Sequence, residues 1–214
     1  MDNAIEEQLE LGAQDLAIQL SEDQRNAMLA HLTLLSKWNK TYNLTTVSEP
    51  EQTVIRHTLD SLSIQPWMDG ERVADIGSGG GFPGVPLAIC NPQRQFVLLD
   101  SRGKKVNFIN TVRRELKLKN LTGLHYRVEE YRPEQLFDTL VSRAFSSLAK
   151  FFHLTQHLLK SGGRLLAMKG EYPTAELQEL NDRYDLSTQC HELQVPYLNA
   201  TRHLVVISPT GPMS

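Results

Sequence analysis

Apolar positions along the chain fall into two textures. Before Arg72 they recur at helical spacing: Met28, Leu32 and Leu35 stand at i, i+4, i+7, as do Ile55, Leu59 and Leu62, so each set predicts a helix with one buried face. Each set also has a start signal. Ser21 with Gln24, and Ser48 with Glu51 and an intervening Pro50, read as capping boxes. The polar stretch WNKTYNLTTVSEP between them reads as a connecting loop. From Arg72 onward the short runs RVADI, QFVLLD, LTGLHYR, FDTLVS, GRLLAMK and HLVVIS alternate with segments of helix length. That is the pattern of a parallel sheet wrapped by crossover helices. The expected fold class is α/β, with residues 1–68 as an N-terminal helical extension packed on the core and residues 69–214 as the α/β domain, the two making one structural unit.

Composition narrows the picture. Of 214 residues 40% are hydrophobic and 22% charged, and no apolar run nears the roughly 18 residues that span a membrane, so a soluble protein without membrane contact is expected. The opening MDNAIEEQLE is acidic where a secretory leader would be basic. Cys90 and Cys190 form no C-x-x-C pair, which argues against a disulfide framework or zinc knuckle and for a reducing cytoplasm. The net charge of -3 hides a segregation: residues 1–24 carry seven acidic and no basic side chains, whereas residues 101–120 carry seven basic ones and a single acid, Glu115. A polyanion meets local charge, so a nucleic-acid partner stays open.

The chemistry concentrates where RVADI runs into GSGGGFPG and then PGVPLAIC. Glycines at a strand-to-helix turn permit positive φ and close approach of a ligand, and the helix start offers unpaired N–H groups. The dinucleotide fingerprint G-x-G-x-x-G fails here, because Phe82 stands where the third glycine belongs. The residues read D-x-G-x-G-x-G instead, Asp75, Gly77, Gly79 and Gly81, which resembles the first motif of S-adenosylmethionine-dependent methyltransferases. Asp100 closes the next strand, placed to accept from both ribose hydroxyls of an adenosine or to cap the helix beginning near Ser101. Val128, Glu129 and Glu130 follow the third strand, where an adenine can lie. Arg143, after the fourth, can pair with a cofactor carboxylate or a substrate phosphate, and a surface ion pair is the plainer use of Glu129 or Arg143.

Other chemistries find less support. The segment after the fourth strand, SRAFSSL, lacks both the polar-Pro-Pro-aromatic loop of exocyclic-amine methylation and the cysteine of pyrimidine C5 methylation. An acceptor with a free lone pair, such as a ring nitrogen, fits best, and it calls for proximity and orientation rather than a general base. His153 and His157 stand at i, i+4 without a third ligand, so no metal site is expected. His57, Asp60 and Ser61 read as local contacts on one short helix. A helix over about 103–118 should bury Val106, Ile109, Val112 and Leu116 and carry Arg113, Arg114 and Lys117 beside that stripe, either as a solvated face or as a phosphate-binding face for RNA. Trp38 reads as buried packing.

The chain as a whole resembles the bacterial 16S ribosomal RNA guanine-N7 methyltransferases, the family also called glucose-inhibited division protein B. The resemblance rests on WNKTYNLTTV (38–47), RHTLDSL (56–62), DIGSGGGFPGVPLAI (75–89), LLDSRGKKVNF (98–108), VEE (128–130), SRAFSSL (142–148), MKG (168–170) and RHLVVI (202–207). It implies a Rossmann-like class I methyltransferase fold with a seven-stranded, mostly parallel sheet and S-adenosylmethionine as donor. It further implies methylation of a guanine N7 in the decoding-region loop of 16S rRNA. Cofactor contacts carry over to Gly77, Phe82, Val128, Glu129 and Arg143, beside Gly79 and Asp100 from the loop reading. The expected partner is 16S rRNA or the small ribosomal subunit, and a cytoplasmic monomer is expected. A nicotinamide-dependent oxidoreductase and a non-enzymatic RNA-binding assembly factor are the competing readings.

Overall fold

The computed structural model describes residues 3–211. Helix α1 spans Asn3–Asp15 and α2 spans Glu22–Tyr42. The first capping box forms as expected: Gln24 N–H donates to Ser21 Oγ (3.2 Å) and Ser21 N–H to Gln24 Oε1 (2.9 Å). The second does not. With Pro50 at the first helical position the cap falls on Glu49, which leaves Glu51 one place too early to reach back. From there α3 (Pro50–Thr53) widens into a π-helical stretch, Val54–Leu59, and ends as α4 (Asp60–Leu62). Such widened turns are uncommon and concentrate at functional sites.

The sheet strands are β1 (Arg72–Ile76), β2 (Gln95–Asp100), β3 (Leu121–His125), β4 (Phe137–Ser142), β5 (Leu159–Lys169), β6 (Leu186–Glu192) and β7 (His203–Pro209). Helices α5 (Gly84–Cys90), α6 (Gly103–Glu115), α7 (Leu148–Thr155) and α8 (Thr174–Arg183) connect them. The order is β3-β2-β1-β4-β5-β7-β6, with β1 to β5 parallel and β7 antiparallel to both its neighbours. Six of the seven strands stood out as apolar runs. The seventh, β6, is the polar edge strand LSTQCHE, covered on one side only and so without an apolar run.

The stripes of the N-terminal helices sink into the sheet's own core, because Met28, Leu35, Leu59 and Leu62 share one cluster with Phe96, Phe108, Ile109 and Val112. Helix α6 stops at Glu115 rather than near 118: Lys117 turns into the left-handed region (φ 54) and Leu118 N–H closes onto Arg113 O (3.0 Å). Leu116, at the cap, is only partly buried. No helix among the described residues is long and apolar enough to cross a membrane.

Candidate active site

Strand order reverses between β1 and β4, and loops leaving the carboxyl ends of those strands open a crevice. The glycine loop forms one wall. Gly77 and Ser78 N–H groups both donate to Leu99 O (2.8 and 3.2 Å), which pins the loop to β2. Gly77 (φ +74) tolerates no side chain, since a Cβ there would lie 2.7 Å from Ala144 Cβ on the loop after β4. At Gly79 the reason is conformational: a Cβ would make only ordinary contact with Lys105 Nζ (3.6 Å) and Gly77 O (3.9 Å), but φ +60 lies in the left-handed region that favours glycine. The loop brings bare backbone to the cavity for two different reasons.

Two carboxylates brace it. Asp75 is fully buried; its Oδ2 accepts from Gly84 N–H (2.8 Å), while Oδ1 has no partner. Burial pushes its pKa up to about 7, against the opposing pull of the Gly84 hydrogen bond and the Arg143 charge. Asp100 does not cap α6, whose N-cap position is taken by Arg102 without a side-chain cap. It accepts instead from Arg102 N–H (2.9 Å) through Oδ1 and from Gly79 N–H (3.0 Å) through Oδ2, with Lys105 Nζ at 3.6 Å. It therefore ties the loop to the start of α6 and keeps lone pairs for further donors.

The opposite wall is built from distant segments. Arg143 Nη1 donates to Asp60 Oδ2 (2.9 Å) and Arg56 O (3.2 Å), and Arg202 Nε donates to Asp60 Oδ1 (3.1 Å). Asp60 was expected to make only local contacts; it reaches partners 83 and 142 residues away. Between the walls Phe82 lies stacked against both His31 and His57, each ring centroid 4.7 Å from its own. His57 Nδ1 lies 3.0 Å from Arg56 O and so carries the proton, which leaves Nε2 to accept from Thr45 Oγ1 (2.7 Å). Burial, helped by the Arg143 charge, lowers the His57 pKa to about 3, and burial lowers that of His31 to about 4. The open cavity between the walls, about 470 Å³, is lined among others by Thr45, Arg56, Asp60, Gly79, Arg143 and Arg202. A more apolar groove of 620 Å³ between α2 and the 45–53 segment shares its Thr45 and Val47 wall.

Residues 24–205 match the family model described as rRNA small subunit methyltransferase G (GidB). The chain is 52% identical over 203 residues to the ribosomal RNA small subunit methyltransferase G of Ectopseudomonas mendocina (strain ymp), covering 94% of each. The namesake protein of Nitrosococcus oceani is 46% identical over 98% of this chain and 97% of its own. This chain belongs to the rRNA small subunit methyltransferase G family. Solved structures agree on the fold at low identity. An S-adenosylmethionine-dependent methyltransferase from Aquifex aeolicus superposes with a TM-score of 0.58 at 17% identity, over 81% of this chain and 97% of that one. A glycopeptide N-methyltransferase complexed with S-adenosylmethionine gives 0.61 at 10%, over 72% and 88%. None of these matches supports the oxidoreductase or the non-enzymatic reading.

The site residues expected from the sequence divide. Gly77, Gly79, Phe82 and Arg143 line one cavity, and Asp100 stands directly behind Gly79. Val128 is buried in the cluster that holds Phe151 and Leu148. Glu129 lies on the 3-10 turn Val128–Glu130, 4.0 Å from Arg127, and lines a separate depression with Arg132 and His157. Arg113, Arg114 and Lys117 are exposed at the far end of α6, a helix about 20 Å long from its start beside Asp100. They converge on the opposite end of the sheet from the glycine loop. His153 and His157 are engaged by Tyr184 Oη (3.3 Å) and by Tyr131 O (3.1 Å).

Sequence reading missed Asp60, Arg56 and Arg202 as site residues. Their signal as site residues was membership of RHTLDSL and RHLVVI, stretches whose periodicity reads only as a helix and a strand. The cavity fits the expected cofactor by its chemistry. It offers side-chain-free backbone at Gly79 in its lining, a carboxylate behind it able to accept from ribose hydroxyls, and guanidinium groups able to pair with an amino acid carboxylate.

Proposed function

We propose that the protein transfers the methyl group of S-adenosylmethionine to N7 of a guanine in the decoding-region loop of the small-subunit rRNA. The observation carrying this reading is the family match over residues 24–205, which spans both walls of the crevice. S-adenosylmethionine supplies an electrophilic methyl group on a sulfonium sulfur. The chain's own residues bind and orient. Gly77, Gly79 and Phe82 shape the floor, Asp100 takes the ribose hydroxyls, Arg143 takes the carboxylate, and the backbone at Val128 and Glu129 edges the adenine side.

Guanine N7 has a free lone pair and loses no proton on methylation, so the site needs no general base. The lining supports that economy: Asp60 is held between two arginines, and His57 Nε2 already accepts from Thr45. What remains for the protein is alignment of acceptor and methyl group, which can supply several powers of ten in rate. Arg113, Arg114 and Lys117 sit too far away to touch the reacting base and would meet phosphates of a neighbouring RNA segment. We further place the reaction in the cytoplasm and on a monomer.

The test is transfer of labelled methyl from S-adenosylmethionine to small subunits and, in parallel, to free 16S rRNA, both from cells lacking this modification, followed by mapping of N7-methylguanine by selective strand cleavage. One modified guanine in the decoding-region loop is expected. Cofactor binding with no transfer to either RNA form would overturn the reading.

A further inference from the structure

The proposed function uses Arg143 and leaves Asp60 and Arg202 without a task. Asp60 is 3% exposed, and its two oxygens each hold one guanidinium. Arg143 enters from the loop after β4 and Arg202 from the residue before β7. A single buried negative charge thus holds two positive ones side by side, with a surplus of one. An ion triad serving only stability would be sealed, yet both guanidiniums keep part of their surface open and both line the 470 Å³ cavity.

Their uncommitted atoms point the same way chemically. Asp60 and nearby carbonyls engage Nη1 of Arg143, and Nε and Nη1 of Arg202. Nη2 of each has no protein acceptor among the described residues. Arg56 lines the same cavity and donates to neutral Gln52 (3.0 Å), whereas the charge of Lys169 is taken by Glu176 (2.7 Å). The open positive charge is therefore carried by arginines, whose planar fork suits carboxylate and phosphate oxygens.

S-adenosylmethionine brings one carboxylate, and one arginine answers it. RNA brings a phosphodiester at every nucleotide. We propose that Arg202, positioned by Asp60, binds a backbone phosphate of the RNA next to the target guanine, so that the arginine pair grips donor and acceptor through one shared carboxylate. This rests on the reading of the protein as an rRNA methyltransferase. Asp60 is then a positioning residue and Arg202 a binding residue for the acceptor.

Salt dependence reads phosphate contacts directly, because each one lost lowers the slope of log affinity against log salt by about one. The experiment measures KM for unmethylated small subunits across a potassium chloride series, and S-adenosylmethionine affinity by calorimetry, for the full chain and its Arg202→Gln and Arg202→Lys variants. In Arg202→Gln the KM for RNA should rise about tenfold, more than kcat falls, and the salt slope should drop by about one. Cofactor affinity should stay within about twofold on the same reasoning. Arg202→Lys, which keeps the charge, should recover most of the slope; a lysine variant that behaves like the glutamine one would mean packing rather than phosphate binding. An unchanged slope, or cofactor affinity falling as far as RNA affinity, would overturn the proposal. Wild-type protein that transfers no methyl group at all would instead bring down the enzyme reading beneath it.

Discussion

The basic side chains at the end of α6 and those around Asp60 carry like charges but are assembled in opposite ways. Arg113, Arg114 and Lys117 are neighbours in sequence and exposed, and the first two sit in the last turn, where they complement the helix dipole. Arg143 and Arg202 are strangers in sequence, joined only through a carboxylate that the π-helical stretch delivers to the crevice. The run along α6 catches the eye because it is contiguous, yet the fold carries it away from the loop it follows. Charge that converges on the crevice has to be built by tertiary structure, and it is held more rigidly for that reason.

Removing Asp60 is the harshest way to break the contrast. Asp60→Ala would leave two half-buried guanidiniums facing each other, and the loss of one partner from a buried ion network costs about 3–5 kcal/mol. Denaturant unfolding of the variant should show a loss of that order, with methyl transfer abolished. A loss below about 1 kcal/mol would mean that the arginines swing free, as surface pairs do, and the two basic groups would no longer differ in kind.

Acid titration probes the same contrast less severely. The folded pKa of His31, about 4, and that of His57, about 3, lie below 6.5, so the unfolded chain binds protons the folded one refuses, and these groups make stability rise with pH between about 4 and 6.5. Asp75 works in the other direction: its folded pKa of about 7 lies above 3.8, so its contribution falls as pH rises through that interval. Two imidazoles outweigh one carboxyl. His31→Gln, which can still donate to Gly80 O, should flatten the rise by up to one proton, about 1.4 kcal/mol per pH unit. Denaturation midpoints measured across that window would show it. An unaltered slope would place His31 among freely solvated groups, which the cations of α6 are and the crevice is not.

The gentlest probe is the α6 group itself. Replacing Arg113, Arg114 and Lys117 together by glutamine should change folding stability by no more than about 1.5 kcal/mol, about 0.5 for each exposed site. On the proposed reading it weakens RNA binding in a strongly salt-dependent way and spares the rate at saturating substrate. A lowered rate at saturation would show that the far end of α6 communicates with the chemistry, and would erase the distinction.

What was legible beforehand follows from range. The glycine loop, its bracing carboxylates and the α2 cap are local patterns, and a buried parallel strand announces itself as an apolar run whatever surrounds it. Strand β6 did not, because none of its residues is fully buried and its sequence LSTQCHE is mostly polar. The Ser48 cap failed through a shift of one position forced by Pro50, a detail below the grain of motif reading. Asp60 was read as local because it stands three positions after His57, whereas its partners lie far along the chain. Glu129 was placed by its position after β3, which fixes the turn but not which depression its side chain lines.

Strand β7 lies inside the sheet although it is the last strand among the described residues, where β6 pairs with β7 alone. Protein synthesis delivers the N-terminal part first, so β6 emerges with no strand to receive it and must wait for its successor to slot in beside β5. Arg202 arrives in the same movement. Until then Asp60 has only one of its two counter-charges, and the finishing of the sheet and the completion of the crevice become a single event in the life of each new molecule.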